Sequence, residues 1–316
     1  MSERFEWGVH LLRPVTSDEA RILAGHGLDR IAVHLPWRWW EPRRGQVDPR
    51  TTDWFLGPLR EHGLPLLGLL GPAMPHLLPD HAQDTDADDW IERFAASCAQ
   101  TVTLFPDLTA VRVEGALNAA RFERLVTRRR RGRRWRDPVF ATELLKAATA
   151  AVRAARPDVR IQVTAHAGVP GWRRHVQRWL EAGVSVDRLG LVLQPALVLP
   201  DPRMAGRVAD AIAQARAVVG DSVPVEVARI GYPTGGARYT PRAQREFLAE
   251  AARSAQDAGA AGLSWWALRD QAFPDPVLGY WTPSQERRYG LRYFDGTAKP
   301  ADEELRVLAT GSRFGR

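Results

Sequence analysis

Short apolar runs alternate with longer amphipathic stretches about eight times along this chain, and that order constrains its fold more than any other feature. The alternation predicts repeated βα units, because parallel strands need a crossover connection that is usually a helix. We predict strands at residues 7–12, 30–35, 65–70, 110–114, 160–164, 189–194, 223–228 and 261–266. We predict helices at residues 17–24, 52–62, 86–103, 137–155, 172–182, 202–219, 241–258 and about 300–309, the first of them capped by Ser17.

Glycine or proline follows the predicted helices near their ends, as helix termination requires. These residues are Gly25, Gly63, Pro106, Pro157, Gly183, Gly220 and Gly259. Eight strand–helix pairs in strict order favour a closed (β/α)8 TIM barrel. An open doubly wound sheet is the alternative, but such sheets usually have a glycine-rich turn after the first strand, which this sequence lacks. We therefore predict an α/β barrel in which residues 1–316 form a single domain, with any chemistry at the carboxyl ends of the strands.

The composition excludes several classes of function. A single cysteine, Cys98, excludes an internal disulfide and a cysteine-based metal cluster. The histidines have none of the spacings typical of zinc sites, so we expect neither a metal nor another cofactor. No run of ~18 apolar residues is present, so we expect no membrane span. The first residues lack the pattern of a signal peptide, and the expected compartment is the cytoplasm.

The net charge of +7 comes almost entirely from arginine, because Lys146 and Lys299 are the only lysines. An arginine-rich loop at about 121–137 follows the fourth predicted strand and contains the run 128–136. This loop is either a solvated surface segment or a lid whose positive field attracts an anionic ligand. The sequence contains no recognised nucleic-acid-binding module, so we do not expect nucleic acid as a partner.

Polar and aromatic side chains collect at the ends of the predicted strands. After the first two strands they are His10, His34, Trp37, Trp39, Trp40 and Glu41. The tryptophans either pack over the barrel mouth or form a platform on which a sugar ring stacks. His166 ends the fifth strand, where it is either a structural group or a proton carrier near neutral pH.

Several motifs in the correct order resemble those of clan-A retaining glycoside hydrolases. The second βα unit matches at Arg30, Trp37, Glu41-Pro42, Gly45, Asp53 and Gly63-Leu64. The segment VEVARIGYPT at 225–234 resembles the one that carries the family's nucleophile. The segment GLSWWALRD at 262–270 is similar to its aromatic-rich final strand, and 289–300 is similar to its run into the last helix. The resemblance covers roughly residues 5–305.

The resemblance implies a TIM barrel with a sugar-binding pocket. On this basis the substrate-binding residues are His10, Trp37, Glu41, Asn118, Gln194, Tyr232, Trp265 and Trp266, together with Arg229. Alternate residues of a strand point to opposite sides, so one of the adjacent Trp265 and Trp266 faces away from the pocket.

The sequence departs from the family at both catalytic positions. A retaining glycosidase needs two carboxyl groups about 5–5.5 Å apart. Ala116 stands at the acid/base position and has no proton to give, and Gly115 replaces the asparagine before it. Arg229 stands at the nucleophile position, preceded by Ala228, and a guanidinium cannot attack an anomeric carbon. The sequence therefore predicts a pseudoglycosidase that lacks both glutamates.

A buried Arg229 needs a counter-charge. Glu114 is one candidate, because period-two alternation directs it to the same interior as residue 116, one layer deeper. A carboxylate or phosphate of a ligand, held by the guanidinium fork, is the other. Glu114 is also the leading candidate for a general acid or base. The sequence does not decide between this role and that of a counter-charge for Arg229.

Three functions follow from this reading. The first is binding of a sugar or glycoside, expected to carry an anionic group such as a carboxylate, with a non-hydrolytic isomerisation such as an Amadori-type rearrangement of an N-glycoside. Glu114 or His166 would then move protons while Arg229 holds the anion, a chemistry that suits specialised metabolism. The second is carbohydrate binding without catalysis. The third is weak hydrolysis by other carboxylates, such as Glu41 or Asp270.

Overall fold

The chain folds into a closed barrel of parallel strands, each paired with the next, with the last strand closing on the first. The computed structural model describes residues 4–71, 78–82, 87–113, 115, 117–119, 137–193, 202–235, 239–271 and 286–314. The strands are β1 (Glu6–Leu11), β2 (Arg30–Leu35), β3 (Leu66–Leu70), β4 (Leu108–Val113), β5 (Arg160–His166), β6 (Arg188–Val192), β7 (Val225–Ile230) and β8 (Gly262–Trp265). The predicted (β/α)8 barrel is confirmed.

Helices follow the strands and form the outer layer. They are α1 (Ser17–Ala24), α2 (Trp37–Trp40), α3 (Asp53–Glu61), α4 (Ala87–Leu104), α5 (Pro138–Ala155), α6 (Trp172–Glu181), α7 (Val208–Val219), α8 (Pro241–Asp257) and α9 (Pro300–Phe314). The cap of α1 is Thr16 rather than the predicted Ser17, because Thr16 and Glu19 form a reciprocal capping box. The helix predicted at 202–219 begins as a 3-10 helix, Pro202–Arg207, before α7.

An ion network fills the barrel interior at the amino-terminal ends of the strands. Glu226 is completely buried, and its carboxylate accepts hydrogen bonds from Arg30 (2.6 Å), Arg188 (3.2 Å) and Gln162. Glu6 receives further bonds from Arg188 (2.7 Å). Beside the network, a Cβ added at Gly8 would lie 2.7 Å from Arg30 Cγ, so a larger residue has no room there. We refer to this network as the barrel floor.

The pairing of β7 with both of its neighbours is irregular toward the carboxyl end of the strand. The register shifts between Leu191 and Val192 on β6, and Val192 pairs with Arg229. The carbonyl oxygen of Ala228 accepts hydrogen bonds from His10 Nε2 (2.9 Å) and Arg112 Nη2 (3.1 Å). Bulges of this kind re-aim side chains and are frequent near functional sites.

Candidate functional site

Arg229 and Trp266 form the centre of the barrel mouth. The guanidinium carbon of Arg229 lies 3.3 Å from the centroid of the Trp266 ring, so the cation covers one face of the indole. Such cation–π contacts contribute about 0.5–2 kcal/mol, depending on how far the pair is removed from water. The contact holds the guanidinium at the carboxyl end of β7, the end of the strands at which (β/α)8 barrels have their active sites.

The adjacent tryptophans face opposite layers. Trp266 lies beside His10, with ring centroids 4.9 Å apart, and beside His34 at 6.3 Å. Trp265 instead packs on Phe247 of α8 at 6.2 Å and donates from Nε1 to the Tyr289 carbonyl oxygen (2.9 Å). Trp266 therefore faces the barrel interior and Trp265 faces the helical layer. The peptide bond that follows Trp266 is cis.

Two buried histidines flank Trp266, and both are uncharged. His10 is fully buried, and burial together with the Arg112 charge holds its pKa well below the usual range. Burial, with Arg229 and Arg112 nearby, lowers the pKa of His34 to about 3. The positive charges of the mouth thus come from arginine rather than from histidine.

His166 ends β5 with a defined tautomer. The backbone N–H of Gly168 donates to His166 Nδ1 (3.1 Å), so the ring proton of the neutral imidazole resides on Nε2. Burial and the Arg229 charge lower the pKa of His166 to about 4. Asn118 clamps the backbone of this residue, since its Oδ1 accepts from His166 N (2.9 Å) and its Nδ2 donates to His166 O (3.0 Å). At neutral pH, His166 therefore offers a hydrogen-bond donor and no positive charge.

Trp37 and Glu41 build the loop after β2. The buried Glu41 accepts from Trp37 Nε1 (2.6 Å) and from the backbone N–H of Gly45 (2.8 Å). The loop turns at Gly45 with a φ of 76°, which glycine adopts readily. Both carboxylate oxygens of Glu41 are therefore used within the protein.

Tyr232 lies in the helical layer with Trp265. Its ring stacks on Phe247 at 4.9 Å and contacts Tyr239 at 5.7 Å. Burial raises the pKa of its hydroxyl. The structure thus brings Arg229, Trp266 and His10 together at the mouth, and it places Tyr232 and Trp265 against α8.

Four predicted features lie outside the described residues: Glu114, Ala116, Gln194 and the arginine run 128–136. The assignment of Glu114 as the counter-charge of Arg229, or as a general acid or base, stays a prediction. The same holds for the loss of the acid/base carboxyl at residue 116.

Sequence reasoning missed the roles of Arg112 and His34. Arg112 lies in the barrel interior, where Nε donates to Gln162 and burial lowers the pKa of the guanidinium to about 9. The available signal was alternation, which puts Arg112 on the same face as residue 114 and His34 on the same face as Arg30. Alternation does not reveal which of these side chains find partners.

Asp270, the other carboxylate considered for hydrolysis, is also engaged. Its Oδ1 accepts from Lys299 Nζ (2.7 Å) and from the backbone N–H of Gly290 (3.0 Å). Burial raises the pKa of the Asp270 carboxyl, and Lys299 opposes that effect. These contacts join the segment after β8 to the start of α9.

In the part of the chain that the structure describes, no group of three or more His, Cys, Asp or Glu residues is arranged to hold a metal ion. None of the described helices is both long and apolar enough to cross a membrane.

The lowered pKa values of the buried histidines mean that the folded protein should be less stable in mild acid than at neutral pH. An unfolded histidine has a pKa of about 6.5, whereas His34 and His166 titrate near 3 and 4 when folded. The unfolded chain therefore binds more protons as the pH falls below about 6.5, and the folded state loses stability. We expect the urea concentration at the unfolding midpoint to decrease when the pH is lowered from 7 to 5. In His34→Leu this decrease should be smaller. Equal midpoints at the two pH values, or an unchanged slope in the variant, would contradict the assignment.

The protein is an α/β barrel whose polar groups meet at the carboxyl ends of its strands. Several solved structures share the barrel architecture. Exo-beta-1,4-mannosidase Op5Man5 from Opitutaceae bacterium strain TAV5 superposes with a TM-score of 0.75 at 19% identity, over 99% of this chain and 60% of that one. This chain thus spans about three fifths of that mannosidase.

Two further solved structures share the fold. GH5_18 from Streptomyces cattleya, in complex with GlcNAc, has a TM-score of 0.70 at 16% identity, over 100% of this chain and 82% of that one. A GH5_18 from Bifidobacterium longum subsp. infantis has a TM-score of 0.72 at 15% identity, over 98% and 79%. No family model and no curated protein sequence matches the chain. At these identities the structural likeness establishes the (β/α)8 barrel fold alone.

Proposed function

We propose that this barrel binds a sugar-containing anionic small molecule at its mouth and rearranges it without hydrolysis. The proposal rests on the position of the Arg229 guanidinium. It lies on the Trp266 ring at the end of β7, and its charge lowers the pKa of His34 and His166. A guanidinium is suited to carboxylates and phosphates, which it binds through two parallel hydrogen bonds.

The fold supports a sugar as the other part of the ligand. The structural neighbours are glycosidases by name, and one of them is in complex with GlcNAc. The mouth of this chain adds hydrogen-bonding imidazoles next to an indole, and protein sites use such groups to orient polar ligands. Arg229 in turn provides the charge that recognises an anionic substituent.

The proposed chemistry uses uncharged imidazole. A neutral histidine can polarise a substrate oxygen through its N–H, as the neutral active-site histidine of triosephosphate isomerase does. His166 offers such a donor at Nε2, because Nδ1 accepts from Gly168. Glu114, one residue beyond β4, is the proposed base.

An Amadori-type rearrangement of an N-glycoside matches this set of groups. The C1–O bond of the ring opens as the ring oxygen takes a proton, which leaves a C1=N iminium. The base removes the proton from C2. The resulting enaminol gains a proton at C1 while its C2 hydroxyl loses one, so the product is an amino ketose of unchanged mass. No step needs a carboxylate nucleophile.

Carbohydrate binding without catalysis is the second candidate function. It is favoured by the pKa values of His34 and His166, about 3 and 4, since neither group changes its protonation near pH 7. Conversion then depends on Glu114 alone as the base. Hydrolysis by Glu41 or Asp270 receives no support, because donors of the protein engage both carboxylate oxygens of Glu41 and the Oδ1 of Asp270.

The proposal is tested with the N-glucoside of 2-aminobenzoate, an aryl N-glycoside that carries a carboxylate. In D2O, rearrangement by the protein should place deuterium on C1 and release no glucose, as followed by NMR against a reaction without protein. Glu114→Gln should abolish conversion but keep binding. Release of glucose and 2-aminobenzoate would indicate hydrolysis and contradict the proposal. Binding without conversion by the wild type would favour the second candidate.

A further inference from the structure

Ala228 is the extra residue of a bulge in β7. On the β6 side, Leu191 pairs with Val227. The next residue of β6, Val192, pairs with Arg229, and the register skips Ala228. A bulge of this kind disrupts the ladder locally and re-aims the side chains beside it. Because Arg229 follows directly, the direction of its side chain depends on how the bulge is held.

The carbonyl group of Ala228 is held from two other strands. Ala228 is completely buried. Arg112 of β4 donates to the carbonyl oxygen from Nη2 (3.1 Å), and His10 of β1 donates from Nε2 (2.9 Å). A buried carbonyl group without a partner costs about 1–3 kcal/mol. The two donors therefore stabilise the bulged conformation of β7.

Arg112 is in turn held by the barrel floor. Its Nε donates to Gln162 Oε1, and Gln162 Nε2 donates to the Glu226 carboxylate. The guanidinium can serve Gln162 and the Ala228 carbonyl oxygen at once, because its N–H groups point in fixed directions within one plane. A chain of hydrogen bonds thus leads from the floor to the peptide group that joins Ala228 to Arg229.

Gly190 of β6 leaves the space that the bulge occupies. A Cβ added at Gly190 would lie 2.6 Å from Ala228 Cβ and 2.8 Å from Thr164 Cγ2, closer than Cβ atoms approach other atoms in proteins. Any larger residue at position 190 must therefore displace its neighbours. Gly190→Ala offers a way to disturb the bulge without removing a charge.

We propose that Arg112 is a positioning residue for Arg229. It holds the Ala228 carbonyl oxygen, and through this peptide group it directs the Arg229 guanidinium onto the Trp266 ring. The inference rests on the proposed function for the role of Arg229 as the group that binds the anion, and it adds the residue that aims this group. Arg112 needs no contact with the ligand, because two of its nitrogen atoms already serve Gln162 and Ala228.

The pKa of His166 reports where the Arg229 guanidinium lies. Burial and the Arg229 charge lower this pKa to about 4, and the Arg112 charge does not contribute. The pKa of His34, in contrast, is lowered by burial and by both arginines. Loss of the Arg112 charge by itself should therefore leave the pKa of His166 unchanged. Displacement of Arg229 should raise it, because a positive charge then lies farther away.

The experiment measures the pKa of His166 by NMR titration. Arg112→Met removes both hydrogen bonds of the guanidinium and should raise the pKa of His166. Arg112→Lys can still donate to the Ala228 carbonyl oxygen, so its value should lie closer to that of the wild type. Arg160→Met removes an arginine that pairs with Glu6 at the floor, and it should leave the pKa of His166 unchanged.

Gly190→Ala is the variant that keeps every charge of the barrel. It should raise the pKa of His166 as Arg112→Met does, because it displaces the same peptide group. Calorimetric titration with D-glucuronate provides a second measurement. Arg112→Met and Gly190→Ala should bind this sugar about tenfold more weakly, the lower end of the loss expected for a hydrogen bond to a charged group.

The outcomes separate the positioning role from the proposed function. An unchanged His166 pKa in Arg112→Met overturns the positioning role, even where D-glucuronate binds more weakly, because the lost charge then explains the weaker binding. If Arg112→Met does not fold, an unchanged His166 pKa in Gly190→Ala overturns it. A raised His166 pKa in these variants, together with a wild type that does not bind D-glucuronate, supports the positioning role and counts against the anionic part of the proposed function.

Discussion

Replacing Arg229 with glutamine is expected to weaken binding of D-glucuronate by about 10- to 150-fold. A hydrogen bond to a charged group contributes about 1.5–3 kcal/mol, and each 1.4 kcal/mol changes affinity tenfold. Glutamine keeps two donors at the position but removes the charge. Isothermal titration calorimetry at one fixed salt concentration measures the effect, because exposed charges are screened by salt.

Two controls define what Arg229 does. Arg229→Lys keeps the charge without the planar fork, and we expect an affinity between those of the wild type and the glutamine variant. Arg173→Gln removes an exposed arginine at the start of α6 and should leave binding unchanged. Removal of the Arg229 charge should also raise the pKa of His166 and His34, which NMR titration detects. Wild-type affinity in Arg229→Gln, with unmoved histidine pKa values, would contradict the role given to Arg229.

The second large effect is expected at the barrel floor. Glu226→Gln should destabilise the protein by about 3–5 kcal/mol, the cost of leaving buried charges without their partner. The Glu226 carboxylate is completely buried between Arg30 and Arg188. Its charge also acts on Arg112, whose pKa it raises against the effect of burial. Urea unfolding, followed by circular dichroism at pH 7, gives the free energy of unfolding.

Glu303 provides the control for Glu226. It pairs with Arg306 on the exposed side of α9, where exposed ion pairs contribute little. Glu303→Gln should leave the urea midpoint unchanged. A Glu226→Gln variant as stable as the wild type would mean that the arginines of the floor do not need this carboxylate.

The fold was predictable from the sequence because its signals are local. β2 covers Arg30–Leu35 and α1 covers Ser17–Ala24, as predicted, since an apolar run and an amphipathic stretch mark these elements by themselves. Some observed element boundaries differ from the predicted ones, because local backbone geometry determines them. The segment 202–219 divides into a 3-10 helix and α7, and periodicity does not resolve that division.

The site was predictable only in part, because its contacts join residues far apart in sequence. The sequence marked Arg229, and alternation required one of Trp265 and Trp266 to face inward. Which one does so depends on the irregular pairing of β7 with β8. The floor pair Arg30–Glu226 spans 196 positions and depends on how distant strands are staggered, which a single sequence does not report.

A crystal structure of the protein with D-glucuronate would show directly whether Arg229 binds the anionic group of a sugar at the barrel mouth. We expect the sugar carboxylate within hydrogen-bonding distance of the Arg229 guanidinium, with the sugar ring at the barrel mouth. A structure in which Glu114 occupies the Arg229 guanidinium while the sugar lies elsewhere, or is absent, would contradict it.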